Sequence, residues 1–216
     1  MIEEESDETT EAMEEISLNK VNRSIFTNRS ISGTVKYSIS GTTLPAYGIY
    51  LTRGSNTSYT SKTGNFSLGT SKDIFGLCWI WANYENSACK LSNFLNLTAS
   101  TLIRVGWPSS LTNVTIYASS DYSTAKMAIC NELCTRYSDE LERHDSIPQA
   151  RIWTTEIGNG TSSAPCLQYL AGNSLPDLVL TNCDSYNTTM IRVLHHEYTH
   201  YLHNIYTNDK DDFGIM

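Results

Sequence analysis

His196-Glu197-Tyr198-Thr199-His200 spells the pattern His-Glu-x-x-His. On a helix, residues four apart lie one turn apart on the same face, so both imidazoles can reach one ion while Glu197 points at the water that ion binds. Imidazole nitrogen suits Zn2+, and a carboxylate beside a zinc-bound water is a general base. The spacing therefore implies a metal-dependent hydrolase with His196 and His200 as metal ligands and Glu197 as the catalytic residue. His203 lies two turns from His196, about 10.5 Å along a regular helix, and cannot share that ion. His195, rotated by about 100°, is expected to pack or hydrogen-bond, as is His144. Catalytic zinc takes three protein ligands. Two are visible in this motif.

These residues need a rigid helix. Residues 188–206 carry Ile191, Leu194, Tyr198, Leu202 and Ile205 at spacings of three and four with no Gly or Pro, which predicts an amphipathic helix capped by Asn187 or Thr188. A strand is expected before it at 177–181. Further upstream, Val114–Tyr117 reads as a strand, 123–143 as a helix with Met127, Cys130, Cys134, Tyr137 and Leu141 on one stripe, and 151–154 as another strand. The stretch 158–173 yields no assignment. Between residues 30 and 105, short apolar runs at 31–39, 48–52, 65–68, 77–84 and 100–105 alternate with Gly, Ser, Asn and Pro clusters, the rhythm of an antiparallel sandwich. Pro108 breaks that rhythm and marks a boundary.

Composition narrows the function classes. Of the 23 acidic residues, eight fall within residues 1–15, and no Lys or Arg precedes Lys20; the net charge of −8 belongs to this tail and the body is neutral. A solvated, disordered tail on a body without a basic stripe argues against nucleic acid as a partner. No apolar run approaches a membrane span, and no signal peptide is visible. Six cysteines in a Ser/Thr/Asn/Tyr-rich chain point to an exported protein, extracellular, at the cell surface or periplasmic, with Cys78–Cys89 as the one local disulfide suggested, across a hairpin. Cys130 and Cys134, one turn apart, read as core residues or a second metal pair. The Asn-x-Ser/Thr triplets follow from the abundance of those residues and decide nothing.

Ile31-Ser32-Gly33-Thr34-Val35, then the run 44–51, then Thr60 to Leu68 occur in an order that resembles the carboxypeptidase regulatory-domain-like family. The resemblance implies a transthyretin-type β-sandwich at 29–106, with Gly33 and Gly64 in turns or bulges and Phe66 and Leu68 facing a core. The succession of strand, helix, strands and motif helix over 109–216 resembles zincin metallopeptidases. Together these imply a multidomain chain: an acidic tail or linker at 1–28, an all-β sandwich, and an α+β zincin-like domain with the His-Glu-x-x-His active-site helix. The metzincin continuation would need Gly at 203 and His at 206, where His203 and Tyr206 stand, and no Glu follows Glu197 as gluzincins would require; the resemblance then implies a third zinc ligand either at Asp211, eleven residues beyond His200 and close to the spacing of aspartate-type zincins, or past residue 216. The implied activity is a secreted or surface zinc metallopeptidase, a metalloendopeptidase-like protease whose substrate is a protein or peptide. The alternative is an inactive zincin-like adhesion protein whose sandwich contacts protein or glycan. The sequence assigns no oligomeric state.

Overall fold

In the computed structural model, the described residues are 26–74, 77–92, 97–106, 111–118, 120–143, 146–155, 167–169, 177–181 and 188–207. The first eight strands are β1 (Phe26–Ile39), β2 (Thr42–Pro45), β3 (Tyr50–Arg53), β4 (Asn56–Tyr59), β5 (Asn65–Ile74), β6 (Cys78–Asn83), β7 (Cys89–Ser92) and β8 (Ser100–Gly106). After them come β9 (Val114–Tyr117), helix α1 (Asp121–Leu141), β10 (Ala150–Thr155), β11 (Leu167–Tyr169), β12 (Leu178–Thr181) and helix α2 (Thr188–Thr207).

Strict alternation builds the first sheet. β1 buries Ile31, Val35, Tyr37 and Ile39, and its antiparallel partner β5 buries Phe66 and Leu68, as a strand of period two must when one face meets a core. A two-residue turn at Ser40 and Gly41 folds β2 back onto β1, and β9 joins β1 in parallel register from Gly33↔Val114 to Lys36↔Tyr117. The second sheet has the order β4-β3-β6-β8, all antiparallel. The third has the order β11-β12-β10-β7, in which β12, β10 and β7 are parallel and β11 is antiparallel.

Gly64, with φ of 76°, closes the turn into β5 by donating its N–H to the Ser61 carbonyl, as a turn glycine should. Gly33 does something else. It sits inside β1, where a Cβ would collide with the backbone of Val114, so its lack of a side chain is what lets β9 approach.

The helix α1 starts at a capping box: Ser120 Oγ accepts from the Ser123 backbone N–H at 3.2 Å, and Ser123 Oγ accepts from the Ser120 N–H at 2.9 Å. Its buried face, from Ala125 through Met127, Ala128, Ile129 and Cys130 to Leu133, packs on β1 and β7. Leu194, Tyr198, Tyr201 and Leu202 form the buried face of α2, which packs on β11 and on α1. One continuous core draws side chains from all three sheets and both helices.

That architecture corrects the fold class implied by the resemblances. Among the described residues the chain is mostly β, with three sheets and two helices, and it does not form a β-sandwich followed by an α+β zincin-like domain. The physical reason lies in two parallel pairings between remote segments. Residues 89–92, expected within the sandwich, form the edge of the sheet containing β10 and β12, while β9, expected to open the second domain, extends the first sheet. β1 also begins at Phe26, inside the stretch read as tail or linker; residues 1–25 lie outside the described residues. Among the described residues no helix is long and apolar enough to cross a membrane.

Candidate metal centre

The motif lies on α2, and the helix presents it as its spacing requires. Burial of Leu194, Tyr198, Tyr201 and Leu202 turns one face of α2 to the core and leaves His196 exposed, with Glu197 and His200 half-buried at the margin. Tyr201 fixes the rotation of the helix: its hydroxyl donates to the Pro148 carbonyl at 2.9 Å, and its ring stacks on Tyr198 with centroids 5.6 Å apart. Burial pushes the Tyr198 phenol well above its ordinary range, with the neighbouring Tyr201 adding to the effect.

His196 and His200 converge. Their Nε2 atoms are 3.0 Å apart, with the rings edge to face and centroids 4.5 Å apart. Between two neutral imidazoles this contact is a hydrogen bond in which one ring's N–H donates to the other ring's lone pair. Two nitrogens at about 2.0–2.1 Å from a tetrahedral zinc stand about 3.3 Å apart, so an opening of a few tenths of an ångström would suit that ion. The donor set therefore fits half of a zinc site.

His195 points elsewhere. Its Nε2 lies 3.2 Å from Glu132 Oε2 on α1, an interhelical contact that ties the start of the motif to the core helix. His203 is exposed one turn past His200. Among the described residues no group of three His, Cys, Asp or Glu is placed to hold a metal. Asp211, one expectation for a third ligand, lies outside the described residues, as do His144 and Asn187.

Compared with protein-family models, curated proteins and solved structures, the chain matches none of them. The site must accordingly be read from its own chemistry.

Cys130 and Cys134 are core residues, one of the two readings their spacing allowed, whereas the expected disulfide is not formed. Cys78, Cys89, Cys130 and Cys134 are buried thiols, so the suggested Cys78–Cys89 disulfide is absent; Cys89 Sγ instead lies 3.9 Å from Cys130 Sγ, joining β7 to α1. Burial, and then Cys89, push the Cys130 thiol well up, and burial does the same to Cys134. Such thiols stay protonated at neutral pH and pack as small apolar groups. Cys166 and Cys183 lie outside the described residues.

Sequence reasoning missed Glu132 as the partner of His195 and Asp177 as the partner of Arg151. Arg151 donates Nε to Asp177 Oδ2 at 2.9 Å and an Nη to Oδ1 at 2.5 Å, and its backbone N–H reaches the same Oδ2 at 2.7 Å, clamping β10 to the start of β12. Both contacts join residues that are dozens of positions apart, and neither leaves a local signal.

Proposed function

We propose that this protein is a zinc-dependent hydrolase of peptide bonds in which His196 and His200 hold the metal and Glu197 is the general base. The observation that carries the reading is the convergence of the two Nε2 atoms at 3.0 Å on the outward side of a helix whose inner face is locked into the core. Held by His196 and His200, zinc would polarise a substrate carbonyl and lower the pKa of a bound water to about 7. Glu197, on the turn between the two histidines, accepts the proton of the attacking water and returns it to the leaving amine. The rigidity of α2 holds these three side chains in register, so little ordering remains to be done when substrate arrives.

A peptide substrate is favoured by the neighbouring sheet. Strand β11 packs against α2 and, among the described residues, is the outermost strand of its sheet, the position at which an extended chain would add. Adding a strand at an exposed edge is a general mode of peptide recognition, in which main-chain hydrogen bonds supply affinity whatever the side chains. The zincin-like fold plays no part in this reading, which rests on the motif helix and the strand packed against it.

The test is zinc content and peptide turnover measured side by side on the full chain. His196→Ala and His200→Ala should each remove tightly bound zinc, and Glu197→Gln should keep the zinc while lowering turnover of a broad peptide library by about 100-fold or more, the scale of general-base catalysis. Equal zinc in wild type and both histidine variants would refute the metal site. Equal turnover in wild type and Glu197→Gln would refute the role of Glu197.

A further inference from the structure

A concave site lies apart from the candidate metal centre, between α1 and the end of the second sheet. The cleft, of about 240 Å³, is lined by Tyr47, Tyr59 and Tyr137 together with Thr60, Ser87 and Ser138. Its floor is fixed in advance: Asn86 Nδ2 donates to the Gly48 carbonyl at 2.9 Å, Asn86 Oδ1 accepts from the Ala88 and Cys89 N–H groups, and Tyr47 N–H donates to Asn131 Oδ1. None of the eleven lining residues is Lys, Arg, Asp, Glu or His.

The cleft opens onto an aromatic surface. Tyr59, 55% exposed, packs its ring at a tilt against Tyr50 with centroids 4.8 Å apart, and the register places Tyr50 opposite Asn83 and Thr52 opposite Trp81 on that same outward face. On β6 the alternation sends Cys78, Ile80 and Ala82 inward and leaves Trp79 and Trp81 46% and 43% exposed. The face thus carries Trp79, Trp81, Tyr50 and Tyr59, with Thr52 and Asn83 among them, and the aromatic row along β6 has a step of about 6.7 Å, two residues of strand. Large aromatic groups in contact with water in this number mark a recognition surface.

We propose that this cleft and the aromatic face beside it bind a neutral oligosaccharide. A sugar ring presents an apolar C–H face and a rim of hydroxyls, which match an aromatic wall and a set of Tyr, Ser, Thr and Asn groups, respectively. Charge decides against the alternatives. A phosphate, a carboxylate or an acidic peptide placed in the cleft would be desolvated without a countercharge, whereas an uncharged polyol pays no such penalty. The cleft volume is close to the lower end of the roughly 300–1,000 Å³ typical of small-ligand pockets. One or two rings fill it, and the rest of the chain lies on the tyrosine and tryptophan face.

Depletion of the full chain by insoluble cellulose, chitin, mannan and starch, followed by calorimetric titration with the hexasaccharide of whichever polymer retains it, tests the site. Retention by at least one is expected, with Tyr59→Ala and Tyr137→Ala each weakening hexasaccharide binding about fivefold or more, the scale of an aromatic contact. Ser87→Trp, which fills the cleft from its exposed rim without removing any wall, should abolish binding, and Trp79→Ala should weaken the hexasaccharide but not the disaccharide. Glu197→Gln should bind as wild type, so the outcome is independent of the peptidase reading. Retention by none of the four polymers, unchanged binding in Ser87→Trp and Tyr59→Ala, or preferential binding to polygalacturonate or anionic lipid vesicles would overturn the proposal.

Discussion

Glu132 of α1 and His195 of α2 meet at 3.2 Å across the helix–helix contact, one residue before the first of the two converging histidines. Both side chains keep part of their surface in water, so the pair orients α2 more than it stabilises the fold. A double-mutant cycle of Glu132→Ala and His195→Ala should give a coupling of about 0.2–1 kcal/mol that shrinks with added salt, with zinc content unchanged in either single variant. A coupling unaffected by salt would mean that the contact is not ionic.

Asp177 accepts three hydrogen bonds from Arg151 and is buried. Those bonds hold the guanidinium protonated beyond even its ordinary range. Asp177→Ala should lower unfolding stability by about 1–3 kcal/mol, read as the urea midpoint, because the Arg151 N–H loses its acceptor along with the charge. Asp177→Asn should fall between the two. A midpoint unchanged in Asp177→Ala would show that the clamp is dispensable.

Alkaline conditions should unfold the protein. Burial raises the folded-state pKa of the Cys130 and Cys134 thiols and of the Tyr37, Tyr84 and Tyr198 phenols. Each neutral form is the native one, so this stability is fully present below the unfolded values, about 8.5 for Cys and 10 for Tyr, and falls as pH rises above them. Every such group contributes up to about 1.4 kcal/mol per pH unit until its folded pKa is reached. Urea midpoints from pH 7 to 11 should decline from about pH 8.5, more steeply above 10. Cys134→Ala should flatten the early part of that decline, and a flat curve to pH 11 would contradict the burial of these groups.

Gly33→Ala places a Cβ against the Val114 backbone, and neither strand can yield a side chain to relieve it. A loss of about 1–3 kcal/mol or more is expected, the cost of overpacking a tight contact. Amide exchange should accelerate first in β9, whose pairing to β1 the substitution attacks; uniform acceleration across the protein would point to a purely global effect.

The motif helix was legible because its information is local. Spacings of three and four predict 188–206, the structure has Thr188–Thr207, and the two histidines converge as the i, i+4 rule demands. The strand at Val114–Tyr117 was equally plain from its β-branched run. The partnership of β9 with β1, and of β7 with β10, was not legible, since a parallel pair is specified by sterics at remote sites such as the missing Cβ of Gly33. Gly33, expected in a turn or bulge, is instead a close-approach glycine, because glycine's freedom and glycine's smallness look identical in a sequence. Residues 89–92 are only four long and hold two polar side chains, too little pattern to announce a strand shared with the far half of the chain. The zincin-like expectation rested on the order of elements alone, and order does not determine which strands become neighbours.

During synthesis the pairing of β1 with β9 has a direct consequence. Gly33 leaves the ribosome about eighty residues ahead of Val114, and Cys89 about sixty ahead of Ala150. Until those partners arrive, the edges that β1 and β7 will share are bare, and bare edges recruit strands from other chains. Any nascent or proteolysed piece that stops near Gly106 is therefore sticky, and the protein's yield in a cell depends on how quickly its second half is delivered.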